Sequence, residues 1–153
     1  VSGTLGSVFA ALYAAHQVGD HHVQRDSDAQ AKGLPGREGH AACLRHVATY
    51  TATAVVALAA AAAATGTRPR LGRVAAGLAL SAVSHYVIDR RTPLKRFAEA
   101  TGVAGFYRLG MPRPGRDDNP SLGTGAYALD QSAHVAFLFA AALIIAGGPD
   151  ADG

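Results

Sequence analysis

The chain has 153 residues, 49% of them apolar and only 16% charged, with a formal net charge of +3, a pI near 9.4 and a mean hydropathy of +0.13. The length suits one domain, and the charged fraction falls below the roughly 25% of a soluble domain, which argues against an ordinary water-soluble fold. A single cysteine, Cys43, excludes an internal disulfide and a multi-cysteine zinc knuckle, and it is expected to be buried and inert.

Residues 4–32 read as the first helix, apolar through Ala15 and increasingly polar beyond it. It lacks the preceding basic region and the cleavage site of a signal peptide, so it is expected to be retained. Gly33-Leu34-Pro35-Gly36 ends it, because glycine and proline punctuate helices. The second helix is expected over 37–65. It carries no charge from 47 to 65 and contains an unbroken alanine run at 59–64, which makes it the clearest membrane span in the chain. Alanine-rich faces let helix backbones approach closely in lipid.

Gly66-Thr67-Arg68-Pro69-Arg70 is a short turn, so the third helix, at 71–89, runs antiparallel to the second. Residues 93–101 follow, with Leu94, Phe97 and Ala98 on one face, as in an interfacial amphipathic helix. Residues 102–123 look loop-like, with Pro112, Pro114, Pro120 and the polar run Arg116-Asp117-Asp118-Asn119. The fourth helix spans 124–146 and ends at Gly147-Gly148-Pro149. Strand patterns of alternating or β-branched residues are missing. The expected fold is all-α: a four-helix transmembrane bundle forming one integral membrane domain over 1–153, with a short interfacial helix between the third and fourth helices.

Four spans place the first and third loops on one side and both termini with the second loop on the other. Eleven of the 14 basic residues lie in or beside the first and third loops, and only Arg68, Arg70 and Arg73 lie opposite. The positive-inside rule makes those loops cytoplasmic and puts both termini outside, in a multi-pass protein of the cell membrane. Basic residues flanking apolar runs in this way point to membrane lipids as partners, and nucleic acid is not expected.

The polar residues then gather at one end. His16, Asp20 and Gln24 recur every fourth residue at the end of the first helix. His46-x-x-x-Tyr50 enters the second, His85-x-x-x-Asp89 ends the third, and Asp130-Gln131-x-x-His134 opens the fourth. Residues four apart share a helix face. A histidine and an aspartate one turn apart can offer a nitrogen and an oxygen to one ion, a donor set suited to zinc foremost and also to manganese or iron. His16, Asp20, His46, His85, Asp89, Asp130 and His134 are the candidate ligands. Asp20, Asp89 and Asp130 are the candidate catalytic carboxylates, while Gln24, Tyr50 and Gln131 would orient ligands or substrate. His40 sits six residues before His46 and about 120° around the helix, so it is a weaker candidate.

Such a site would activate water against a lipid ester or phosphoester at the cytoplasmic face, with Arg90, Arg91, Lys95 and Arg96 at headgroup level. Two other readings use the same residues. An ion or proton carrier would need ionisable groups continuing towards the opposite face, and a non-catalytic structural or interaction protein would use the pairs as bundle glue.

The combination His16-x-x-x-Asp20-x-x-x-Gln24, Lys32, His46-x-x-x-Tyr50, His85-x-x-x-Asp89 and Asp130-Gln131-x-x-His134 resembles the bacterial and phage membrane-protein family catalogued as domain of unknown function 3307. The resemblance covers about residues 5–146 and implies the fold and the shared site. More distantly, the paired motifs look like those of membrane-bound metal-dependent hydrolases and helical zinc phospholipases, which implies metal-assisted hydrolysis.

Overall fold

A computed structural model describes residues 2–112, 115 and 123–147. The expected polar run at 116–119 and the chain beyond 147 lie outside the described residues. Among those described the structure is helical and contains no strand: α1 (Ser2–Val18), α2 (Asp26–Ala31), α3 (Gly36–Thr65), α4 (Leu71–Asp89), α5 (Thr92–Ala100), α6 (Ala104–Tyr107) and α7 (Gly125–Ala146).

The first helix is not continuous over 4–32. It stops at Val18, widens into a π-helical turn over Gly19–Val23, and breaks at the extended Gln24 and Arg25 before α2 begins. The cause is tertiary. A Cβ at Gly19 would lie 3.2 Å from Tyr50 Cδ2, so the backbone comes directly against the α3 ring, an approach that only glycine allows without displacement. The wider turn rotates Gln24 off the His16 and Asp20 stripe. A second correction concerns 102–123, where the short α6 interrupts the expected loop.

α1 packs against α3 and α7, and α4 packs against the same two helices. Their shared interior is divided along its length. One end is a dry cluster of Val8, Leu12, Ala54, Leu58, Leu138, Ala141, Ala142 and Ile145. The other end buries His16, His46, Ser81, Ser84, His85, Asp89 and His134. The outside is apolar: Val56, Val83, Phe139, Leu143 and Leu71 are exposed, the last to 85%. Buried polar groups at one end and exposed large apolar groups outside depart from the usual soluble pattern. Three helices, α3, α4 and α7, are long and apolar enough to cross a membrane. α1 has 17 residues, and α3 at 30 residues is about 45 Å long, which exceeds the roughly 30 Å hydrocarbon layer.

The connections hold the polar end together. Arg90 Nη1 and Nη2 each donate at 2.6 Å to the carbonyls of Lys32 and Leu34, which ties the first loop to the end of α4. Arg45 grips the buried Asp28 through Nη2 at 2.6 Å and Nε at 3.1 Å, fixing α2 to α3. α5 turns Ala98 inward and leaves Phe97 62% exposed, so the anticipated common face of Leu94, Phe97 and Ala98 is split between protein and surroundings. Cys43 is buried, with its thiol 3.7 Å from the Tyr86 carbonyl.

Candidate metal centre

Each long helix brings its histidine to the same level. His46 Nε2 and His85 Nε2 approach to 2.9 Å. Asp20 Oδ1 lies 3.4 Å from the first and 3.5 Å from the second, while Asp89 Oδ2 lies 3.2 and 3.3 Å from them. Two donors bound to one tetrahedral zinc at the usual bond lengths stand about 3.3–3.4 Å apart. The His46 and His85 nitrogens stand at about that spacing from Asp20 Oδ1 on one side and from Asp89 Oδ2 on the other. The residues fit a divalent ion.

His134 extends the cluster. Its Nε2 is 3.6 Å from Asp89 Oδ1 and 3.7 Å from Asp130 Oδ2. His16 stands slightly apart, its Nδ1 3.6 Å from Asp20 Oδ2 and its Nε2 3.3 Å from Gln131 Oε1. Gln131 Nε2 in turn donates to Asp130 Oδ2 at 3.2 Å. With the amide donating at that end, its oxygen accepts from His16 Nε2–H, which leaves His16 Nδ1 with its lone pair towards Asp20.

The hydrogen bonding around this cluster is incomplete. Asp20 Oδ1, Asp89 Oδ2, His134 Nε2, His16 Nδ1 and His46 Nδ1 are buried without a hydrogen-bond partner among the described residues. An unpaired buried polar atom costs about 1–3 kcal/mol, and more when charged, so five in one cluster need a cause. A cation would satisfy those of them that face it. Three overlapping groups have donors close enough to hold a metal ion: His16, His85 and His134; Asp20, His46 and His85; and Asp89, Asp130 and His134. Asp20 lies in the π turn beyond α1. Burial raises its pKa, but the adjacent His46, then His85, His16 and Lys32, outweigh burial and hold the carboxyl at about 2. It is a carboxylate at neutral pH.

Surrounding groups fix the rings. The Tyr50 ring stacks on His85 with centroids 4.1 Å apart, and its hydroxyl shares a 2.6 Å hydrogen bond with Ser81. Lys32 Nζ lies 2.9 Å from Asp89 Oδ1. With the Gln24 carboxamide turned to satisfy both ends, its nitrogen donates to the Asp20 carbonyl at 3.2 Å and its oxygen accepts from Lys32 Nζ at 3.0 Å. Gln24 thus reaches the cluster through Lys32 rather than along the helical stripe.

All seven candidate ligands and the three supporting residues come together. His40 does not: it is exposed and stacked on Tyr86, with a hydrogen bond to that hydroxyl. Ser81 was missed although it precedes His85 by one turn on the same stripe of α4. A cavity of about 620 Å³ opens beside the cluster, reaching Asp20, Asp89 and Asp130 on its floor.

The family description "Protein of unknown function (DUF3307)" matches residues 8–149, and the chain belongs to that family. No curated protein and no solved structure matches it.

Proposed function

We propose that this member of the DUF3307 family is a metal-dependent hydrolase of a lipid ester or phosphoester, working at the cytoplasmic face of a four-helix transmembrane bundle. α1 crosses with the three longer apolar helices, and both termini lie outside. The observation that carries the reading is the Asp20, His46 and His85 group, its donors close enough to hold one ion and flanked by Asp89, with buried donor atoms that lack hydrogen bonds. Asp20, His46 and His85 would hold the ion with Asp89 beside them, and a donor set of imidazoles and carboxylates favours zinc over manganese or iron. His134 and His16 stand by as further ligands.

A divalent ion there supplies Lewis acidity, bringing the pKa of a coordinated water towards neutrality and polarising the ester or phosphoryl oxygen. Asp130 is the general base. Its side chain is 25% exposed, faces the cavity and is held by Gln131. His16 braces Gln131 from behind, so Asp130 keeps one orientation when it accepts the proton of the attacking water. Tyr50, anchored on Ser81, keeps the His85 ring from tilting.

The dry interior beyond the site supports a one-sided centre over a carrier. Past Tyr50, Ser81 and Ser84 the packed core consists of Leu12, Ala54, Leu58, Leu138, Ala141 and Ile145, with no ionisable relay among the described residues. The test is elemental analysis of the detergent-purified protein beside His46→Ala and His85→Ala, with helical content checked in each, followed by an ester and phosphoester hydrolysis screen. We expect stoichiometric metal in the parent, little in either variant, and turnover lost in Asp130→Asn while metal is retained. A folded parent that takes up no zinc, manganese or iron even on reconstitution would end the reading.

A further inference from the structure

Two of the basic residues at this end of the bundle are engaged with the protein itself. Arg90 spends two of its nitrogens on the Lys32 and Leu34 carbonyls, and Arg45 is closed on Asp28. Among the described residues two cations line the cavity with the aspartates: Lys32, which also sits 2.9 Å from Asp89 Oδ1, and Arg91. Arg91 Nη2 makes a 3.3 Å contact with the Ala29 carbonyl, and no carboxylate among the described residues pairs with the guanidinium.

Arg91 is also the one non-glycine residue among those described with a positive φ, at 60° with ψ −45°. That conformation lies outside even the left-handed helical region, and such strain persists only where the surroundings impose it. Here it forms the corner between α4 and α5 and lays the arginine stem on Gly33. A Cβ on Gly33 would stand 2.8 Å from Arg91 Cδ, so the glycine makes room for that stem. The strained corner and the cleared path both serve to place a guanidinium over the cavity.

We propose that Lys32 and Arg91 form an anion clamp, and that the anion is the phosphate of a phosphate ester carried on an apolar chain. This deepens the hydrolase reading and rests on it. With a divalent ion present, the described lining carries three negative charges, on Asp20, Asp89 and Asp130, against four positive ones on the ion, Lys32 and Arg91, which leaves one positive charge over. A neutral carboxylic ester would leave that charge unmet; a phosphate ester meets it, and arginine offers the forked donors that phosphate oxygens accept. Leu94, Met111 and Ala126 supply an apolar wall for the chain, and about 620 Å³ is room for a headgroup with its first carbons. In hydrolysis the water oxygen would bond to phosphorus and the phosphorus–oxygen bond to the alcohol would break. The water's proton would pass to Asp130 and then to the leaving alkoxide.

The test is calorimetric binding of dodecyl phosphate, inorganic phosphate and dodecanol to the full chain in a neutral detergent, with and without chelator. The variant is Arg91→Gly, since glycine accepts the backbone angle and the substitution removes the guanidinium without adding strain. We expect dodecyl phosphate to bind the metal-loaded parent at least tenfold more tightly than either other probe. Arg91→Gly should weaken it about tenfold or more with metal content and helicity unchanged. Equal binding to Arg91→Gly, or equal binding of dodecanol to the parent, would overturn the clamp. Inorganic phosphate binding as tightly as the alkyl ester would overturn the apolar-chain assignment. Without the ion the three aspartates outnumber Lys32 and Arg91, so chelation should abolish the binding; Arg91-dependent binding that survives chelation would overturn the charge argument, whereas a folded parent that takes up no metal would overturn the hydrolase reading, so the two fail separately.

Discussion

The two ends of the helix interior are built by the same four helices on opposite terms. At the apolar end small residues allow close packing: a Cβ at Gly77 would lie 2.5 Å from Ile145 Cγ1 and 2.9 Å from the Ala141 carbonyl, so α4 and α7 meet almost backbone to side chain. At the polar end four imidazoles and three carboxylates share one cluster, several of their atoms without hydrogen bonds. The first arrangement stabilises the fold through dispersion and exclusion of lipid. The second costs stability unless a cation joins it. Cohesion and chemistry are thus separated along the helix axes, and substitutions should separate them too.

The largest effect is expected from Asp89→Asn. Its two oxygens face His46, His85, His134 and Lys32 together, so metal affinity should fall by more than the roughly 10–100-fold typical of a group that merely orients a ligand. Metal titration with helical content followed by circular dichroism checks it; unchanged metal binding would dissolve the contrast between the ends. Gly77→Val should do the converse. Overpacking against Ile145 and Ala141 should cost about 1–3 kcal/mol in detergent unfolding, with metal per folded molecule unchanged. Tyr50→Phe, at the boundary, should be mildest: about 1 kcal/mol for the hydrogen bond to Ser81, with metal affinity moved only a few-fold. A loss as large as that of Asp89→Asn would move the boundary one turn deeper.

The same division explains what the sequence could announce. α4 falls at 71–89 as anticipated, and α3 and α7 each begin within one residue of expectation, because apolar runs bounded by glycine and proline are local signals. The pairs His16/Asp20, His85/Asp89 and Asp130/His134 were readable for the same reason: residues one turn apart share a face whatever else the chain does. What stayed hidden depends on a neighbour. The π turn over Gly19–Val23 answers to the Tyr50 ring on another helix. Lys32 comes beside Asp89 only because Arg90 binds the first loop back onto α4. The Arg91 corner has no sequence signature, since nothing local favours a positive φ at arginine.

The dry core of Leu12, Leu58, Leu138 and Ile145 has an electrical consequence. In a bilayer, a transmembrane voltage falls across the insulating layer and does work only on charges that move through it, about 2.3 kcal/mol per charge per 100 mV. With the plug beyond the histidines, that drop lies between the site and the far side. An ion or anion entering from the near side crosses almost none of it. On the proposed topology, occupancy of the centre would follow concentrations in one compartment, and energising or depolarising the membrane should leave metal loading unchanged.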